Sequence, residues 1–399
     1  SFLRKDHPLM AQRLRQAAKR GTQISAIDTA GDDPLLKLTT RATVLPAALA
    51  QTLSQVLVAL AKIKGAEVPS TLAGVQADAT AQQMAQSLAT GERVAVLLGN
   101  AAVNAPDAAQ LAALAQSIAQ LSGGKLGFLT AGANTVGAYL AGAVPAQGGK
   151  SAAAMLAEPL KAYIVLHAEP LLDTDNGAQA LAALKAADFV VALTAFASDV
   201  ADWANVMLPI APFTETSGTF VNAQGLAQSF KGTVAPRGQT RPGWKVLRVL
   251  GNVLHLAGFD DETSESVRDS VLSGGVANRL SNQINAAIAS VAAGQSTSGA
   301  LQRVTDLPIY RSDALVRRAS ALQESGASRA PAARMHTQTL ASLGFSAGDS
   351  VRIKSSTGVV TLVAVQDDTL PAGAVRIAAG FAQTASLGSA FGQLQVERA

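Results

Sequence analysis

The sequence contains no cysteine. That excludes a disulfide, a thiolate-held iron–sulfur cluster and a cysteine nucleophile within this chain. It suits a reduced compartment without deciding one. Histidine is scarce: His7, His167, His255 and His336 stand far apart. No two are spaced as metal ligands, so no zinc site is expected. Aromatic residues make up 4%, and no alternation of aromatic and basic side chains offers base stacking. Charge is thin as well, 15% of residues, with 32 Lys and Arg against 28 Asp and Glu, a net +4. The signs are interleaved, which reads as a solvated mixed surface rather than a nucleic-acid face. No apolar run is expected to approach the ~20 residues needed to span a bilayer. Arg4, Lys5 and Asp6 follow Phe2 almost at once, where a secretion signal would turn apolar.

Phosphate clamps are missing too. Gly132-Ala-Asn-Thr-Val-Gly137 has Walker-type glycine spacing. Ala138 and Tyr139 stand where a lysine and a Ser or Thr are required, so the motif is rejected. Leu98-Gly99-Asn100 follows an apolar run and precedes a helical one, where backbone can approach a phosphate. A tight strand-to-helix turn explains the same residues. Asp28 ends a strand-like run and could hold a ribose, but no glycine fingerprint precedes it, so a cap or turn role is expected.

What is present is small and apolar: 48% of 399 residues are hydrophobic, enough for two or three domains with a sizeable core. Residues 1–90 read as a partial α/β and helical domain. Met10, Leu14 and Ala17 share a helical face, Gly21 ends that helix, and Thr22–Ile27 looks like a strand. A unit of this type normally opens with a strand before its first helix. None is seen, and the chain does not start with Met, so it is expected to be processed or to be a piece of something longer. Leu53, Val56, Leu57 and Leu60 mark a second helix, and Thr80-Ala-Gln-Gln83 a capping box.

Residues 91–303 read as an α/β domain with an inserted hairpin. Strands are expected at 94–98, 125–129, 162–166, 189–193 and 206–208. Helices lie between them, including 151–157, 177–186 and a short one near 199–204. Such alternation argues for a mostly parallel sheet covered on both faces. Residues 261–303 are expected to be helices with polar joins, ending in a small-residue linker at 292–300. Residues 304–334 form a connecting helix and linker. Val316-Arg317-Arg318 there is basic and fits either a solvated helix face or a docking surface for another protein of the same assembly. From 335 to 399 the pattern turns to period two, as in a small β-barrel.

The block Val206 to Gln228 carries the most specific signal. A short apolar strand stops at Pro209 and Pro212. A polar elbow holds Glu215, Ser217 and Gly218. Thr219–Val221 then meets Asn222-Ala-Gln-Gly225, a hairpin turn. This block resembles the "VLP…E…GT(F)xNxEGRxQ" pattern of the molybdopterin oxidoreductase superfamily. Phe2–Leu9 with Arg13–Ala17, Arg241–Leu250 and Ile309–Ala319 add a resemblance to the large peripheral-arm subunit of bacterial NADH:quinone oxidoreductase, respiratory complex I. Leu343–Ile353 resembles the opening of a molybdopterin-dinucleotide-binding domain.

The resemblance implies an α/β fold: doubly wound, mostly parallel sheet domains of molybdopterin oxidoreductase type, followed by a small β-barrel-like domain. It also implies a scaffold within the peripheral arm, beside other complex I subunits. Such a scaffold would be peripheral, on the cytoplasmic side of the membrane, with no insertion into it and no nucleic-acid partner. Iron–sulfur clusters are expected in a region ahead of this sequence. The family's Asn-x-Glu-Gly-Arg is here Asn222-Ala-Gln224-Gly-Leu226, and leucine cannot replace an arginine's five donors. No catalytic, cofactor-binding or metal residue is therefore assigned, and the molybdopterin site is expected to be lost. Glu215 remains, more in keeping with a turn partner than a catalyst. The alternatives are a working molybdopterin oxidoreductase and a nucleotide-binding α/β module.

Overall fold

The computed structural model describes residues 2–291 and 300–399. All but Ala300 of the expected 292–300 linker lies outside them. The chain forms two compact units. One gathers Ser1–Ala131, Asn282–Ile309 and Gly326–Ala399; the other gathers Gly132–Ser281 and Tyr310–Ser325.

The first unit opens with helix α1 (Pro8–Lys19), then parallel strands β1 (Ser25–Asp28) and β2 (Thr40–Thr43). Strand β2 carries too little apolar pattern to be expected. Asp28 is neither a cap nor a turn residue. Its carboxylate accepts from Arg41 at 2.6 Å and from Thr43 at 2.9 Å, because the parallel register sets Asp28 opposite Thr43.

Helix α2 (Leu49–Lys64) buries Val56, Leu57 and Leu60 against α3 (Ala79–Thr90) and α4 (Ala108–Ser122). With its leading turn, Pro46–Lys64 is long and apolar enough, by composition alone, to cross a membrane. That corrects the expectation that no apolar run approaches this length, since Gln51, Ser54 and Gln55 interrupt the stretch yet leave it apolar enough on average. Its apolar face is spent inside this core. The cap of α3 is Asp78, whose carboxylate accepts from Ala81 N at 2.7 Å, not the expected Thr80. Aspartate two residues earlier reaches the free N–H groups of the first turn.

Strands β3 (Ala95–Leu98) and β4 (Lys125–Phe128) pair in parallel. Gly99 leads into a four-residue helical turn, Asn100–Val103. Among the described residues of 280–303 none of the expected helices forms. Instead 282–291 runs along α4 without regular secondary structure. Gln110 donates to Ala289 O at 2.9 Å and accepts from Ala289 N at 2.8 Å. Gln116 does the same with Ile284, at 3.0 and 2.6 Å. Ile284, Ile288 and Val291 pack beneath.

The second unit is built on three parallel strands, β5 (Ala162–Leu166), β6 (Phe189–Thr194) and β7 (Val206–Pro209), in that order. Helix α5 (Gly177–Ala186) covers one face with Val200 and Trp203. The expected helix near 199–204 is a run of turns, fixed by Trp203 Nε1 donating to Asp199 O at 2.8 Å. On the opposite face Ile164, Leu166, Phe189 and Val206 remain well exposed. After β7 come the antiparallel hairpin β8 (Gly218–Val221) and β9 (Ala227–Phe230), then α6 (Gly243–Val253), α7 (Ser264–Val271) and the short α8 (Ala314–Arg317).

The last part of the first unit is a closed six-stranded barrel. Its strands are β10 (Leu301–Val304), β11 (Ala333–Met335), β12 (Ser350–Lys354), β13 (Val359–Gln366), β14 (Ala374–Arg376) and β15 (Gln393–Arg398), with helix α9 (Thr337–Leu343). Alternation along β12 and β13 sends Val351, Ile353, Val360, Leu362 and Ala364 inward. The barrel therefore begins at Leu301, not near 335. Strand β10 pairs with β14 and β15 about seventy and ninety residues later, a closure that no local pattern reveals.

Candidate functional site at the carboxyl edge of the parallel sheet

The three parallel strands of the second unit deliver their carboxyl ends to one edge, where sheets of this type hold ligands. The loops leaving that edge carry a cluster of acidic side chains and one left-handed residue.

After β5, His167 takes a left-handed φ of +52°, a region that histidine visits more readily than branched residues. Its N–H donates to Leu193 O at 2.9 Å. Burial pushes its imidazole below the usual value, and the backbone of Ala211 partly restores it. Glu169 follows, buried, with its N–H donating to Asp173 Oδ2 at 2.7 Å. After β6, Thr194 Oγ1 closes a tight turn with the backbone of Phe196, and Asp199 follows.

Helix α8 brings two arginines to these loops. Asp313 caps it, accepting from Leu315 N at 2.8 Å and Val316 N at 3.0 Å. Arg317 Nε donates to Glu169 Oε2 at 2.8 Å, and its Nη1 lies 2.9 Å from Asp173 Oδ1. Arg318 lies 2.6 Å from Glu169 Oε1 and 2.6 Å from Asp199 Oδ2, with its guanidinium 4.3 Å from the centre of the Phe196 ring. The result is a ladder, Asp173–Arg317–Glu169–Arg318–Asp199. Burial opposes the charge on Arg317, but Asp173 and Glu169 outweigh it and raise its guanidinium above the usual value.

The basic helix is thus neither a solvated face nor a free docking surface. The side chain of Arg317 is only 5% exposed. Its partners Glu169, Asp173, Asp199 and Phe196 went unremarked in the sequence. The available signal was the spacing of Glu169 and Asp173, four apart and just past a strand.

After β7, the backbone of Ile210 and Ala211 pairs with Arg241, Ala211 N donating to Arg241 O at 2.9 Å. Glu215 accepts from Arg237 N at 2.9 Å, a loop-fixing role as expected. In the hairpin turn Asn222 Oδ1 accepts from Gln224 N and Leu226 N, at 2.9 and 3.0 Å. Gly225 needs its φ of +79°, and a Cβ there would lie 2.7 Å from Leu280. Leu226 is 56% exposed. The rejected glycine loop has a structural use: Asn134 Oδ1 accepts from Val221 N at 2.8 Å and holds the hairpin. Beside the elbow lies an open cleft of about 540 Å³ whose lining includes Glu215, Ser217, Arg241, Trp244, Glu262 and Glu265. Ser264 Oγ donates to Ser217 Oγ at 3.0 Å along its wall. Among the described residues no group of three or more His, Asp or Glu is placed to hold a metal ion.

The pattern of the molybdopterin oxidoreductase family matches residues 3–253, and that of the molydopterin dinucleotide binding domain matches residues 305–394. This chain belongs to the molybdopterin oxidoreductase family. Among relatives, the G subunits of NADH-quinone oxidoreductase from Mycobacterium bovis and from Mycobacterium tuberculosis are each 31% identical over 231 residues, 55% of this chain and 27% of theirs. The match thus spans about a quarter of the length of those relatives. A putative formate dehydrogenase of Staphylococcus aureus is 35% identical over 79 residues, 20% of this chain and 8% of its own. Acetylene hydratase from Pelobacter acetylenicus shares the fold, with a TM-score of 0.68 at 14% identity, over 98% of this chain and 76% of that one.

A dinucleotide of this family's kind is anionic and needs cations or N–H donors. At this carboxyl edge both guanidinium groups already face carboxylates, three acids against two arginines. Leu226 supplies no donor where the family's pattern has arginine. The crevice between the loops after β5 and β6, filled by Arg317 and Arg318 and lined by their carboxylates, does not fit an anionic dinucleotide.

Proposed function

We propose that this chain is the molybdopterin oxidoreductase-like part of the large peripheral-arm subunit of a bacterial NADH-quinone oxidoreductase. In that reading it is a scaffold of the arm, while its neighbours pass electrons from NADH toward quinone. The observation that carries it is the 31% identity over 231 residues with the mycobacterial proteins. Three features support the scaffold half: the chain has no thiol, leucine stands at 226, and its own arginines fill the carboxyl edge. Iron–sulfur clusters then belong to sequence outside this chain. The partners are other peripheral-arm subunits, and the location is the cytoplasmic side of the membrane. Tagging the native protein and purifying it in mild detergent tests this. The NADH-oxidising subunits are expected to come with it in fixed ratio, and recovery without them sinks the proposal.

The family match over residues 3–253 favours a second reading, a working molybdopterin oxidoreductase. It requires molybdenum or tungsten at about one per chain and an extractable pterin in the native protein. Elemental analysis separates the two readings, since stoichiometric metal removes the scaffold and its absence removes the enzyme.

A further inference from the structure

We propose that the carboxyl-edge crevice of the second unit is a guanidinium site occupied by the chain's own segment 310–325, which acts there as a latch. Three observations carry this. The first is place. Glu169 and Asp173 lie on the loop after β5, and Phe196 and Asp199 on the loop after β6, the position where such a sheet receives a ligand. The second is chemistry. Arg318 meets Glu169 and Asp199 at 2.6 Å each and rests on the face of Phe196. A planar, weakly hydrated guanidinium satisfies all three at once, whereas a compact ammonium would not. The third is how the segment is built. Gln323 Nε2 donates to Tyr310 O at 2.9 Å and to Val316 O at 2.6 Å. Arg317 Nη1 also donates to Arg311 O at 2.8 Å. The loop is tied across its own neck, as compact Ω-loops are, so it can leave the crevice as one body. With three carboxylates and an aromatic face, the opened crevice takes a guanidinium and repels a phosphate.

The test uses the whole chain carrying Arg318→Ala, probed by limited proteolysis. Cleavage within 310–325 is expected to rise several-fold over the unaltered chain. Millimolar methylguanidinium is expected to bring it back near the starting rate, while methylammonium and inorganic pyrophosphate leave it raised. An unchanged cleavage rate overturns the latch. Suppression by pyrophosphate, or equally by methylammonium, overturns the guanidinium assignment. Should Arg318→Ala not fold, Arg318→Lys takes its place, read by hydrogen exchange of residues 314–323. Faster exchange there supports the proposal, and unchanged exchange overturns it. None of these outcomes depends on whether the chain joins a larger assembly, so co-purification can fail or succeed independently.

Discussion

Arg376 in the barrel and Arg317 in the second unit are both buried between two carboxylates, yet they hold different things. Arg376 meets Asp32 at 2.9 Å and Asp306 at 3.1 Å. Burial opposes its charge, and the two aspartates outweigh that and raise it well above the usual value. It sits on β14, whose neighbours Val375 and Ile377 are fully buried, so the barrel core keeps that strand in place with or without the ion pair. Arg317 sits on a helix of four residues whose apolar members, Ala314, Leu315 and Val316, are only half-buried. There the ionic ladder is the anchor. An ion pair of given geometry counts for more where less apolar burial shares its load.

Four substitutions, with Thr80→Ala as a control, break or sharpen that contrast, in falling order of effect. Ile353→Ala removes a fully buried side chain from the barrel and is expected to cost about 4 kcal/mol by urea unfolding. Glu169→Gln keeps the shape of the ladder but leaves Arg317 with only Asp173. The expected loss is about 3 kcal/mol, with hydrogen exchange speeding up in 310–325 and unchanged in the barrel strands. Asp78→Ala is expected to cost about 1 kcal/mol through the lost cap of α3, while Thr80→Ala stays close to neutral; thermal unfolding of the pair checks it.

The smallest effect is a pH dependence. The folded value of His167 lies below its unfolded one, so its contribution is fully present above the unfolded value of about 6.5 and is lost as pH falls through the folded one. His7 is also lowered, by burial first, against Asp6, and it adds to the same window. His167→Asn tolerates the left-handed backbone and is expected to flatten part of the stability loss as pH falls below about 6.5.

Local pattern made much of the fold legible. Period-two runs placed β12 and β13, and apolar runs placed β5 to β7, the last of them closed by proline. The spacing of Leu53, Val56, Leu57 and Leu60 placed α2. Whatever depended on distant partners stayed hidden. Strand β10 makes sense only beside residues 374–376 and 393–394. The irregular run 282–291 takes its hydrogen bonds from glutamines far upstream. At the carboxyl edge, the sequence flagged the basic residues of α8 but not the acids that neutralise them. Charge balance is set by which loops a sheet brings together, and no window of sequence contains that. The loss of the arginine at 226 was readable, whereas the filling of the crevice required coordinates.

The two glutamines of α4 have a consequence for which changes the chain can absorb. Gln110 and Gln116 grip Ala289 and Ile284 through main-chain N–H and C=O groups alone, so they act as rungs of a ladder that ignores the identity of what it holds. The outward side chains of that strap are free to vary, but proline at 284 or 289 is barred, because it would delete a rung. Either glutamine exchanged for glutamate would lose its donor half and keep only the acceptor.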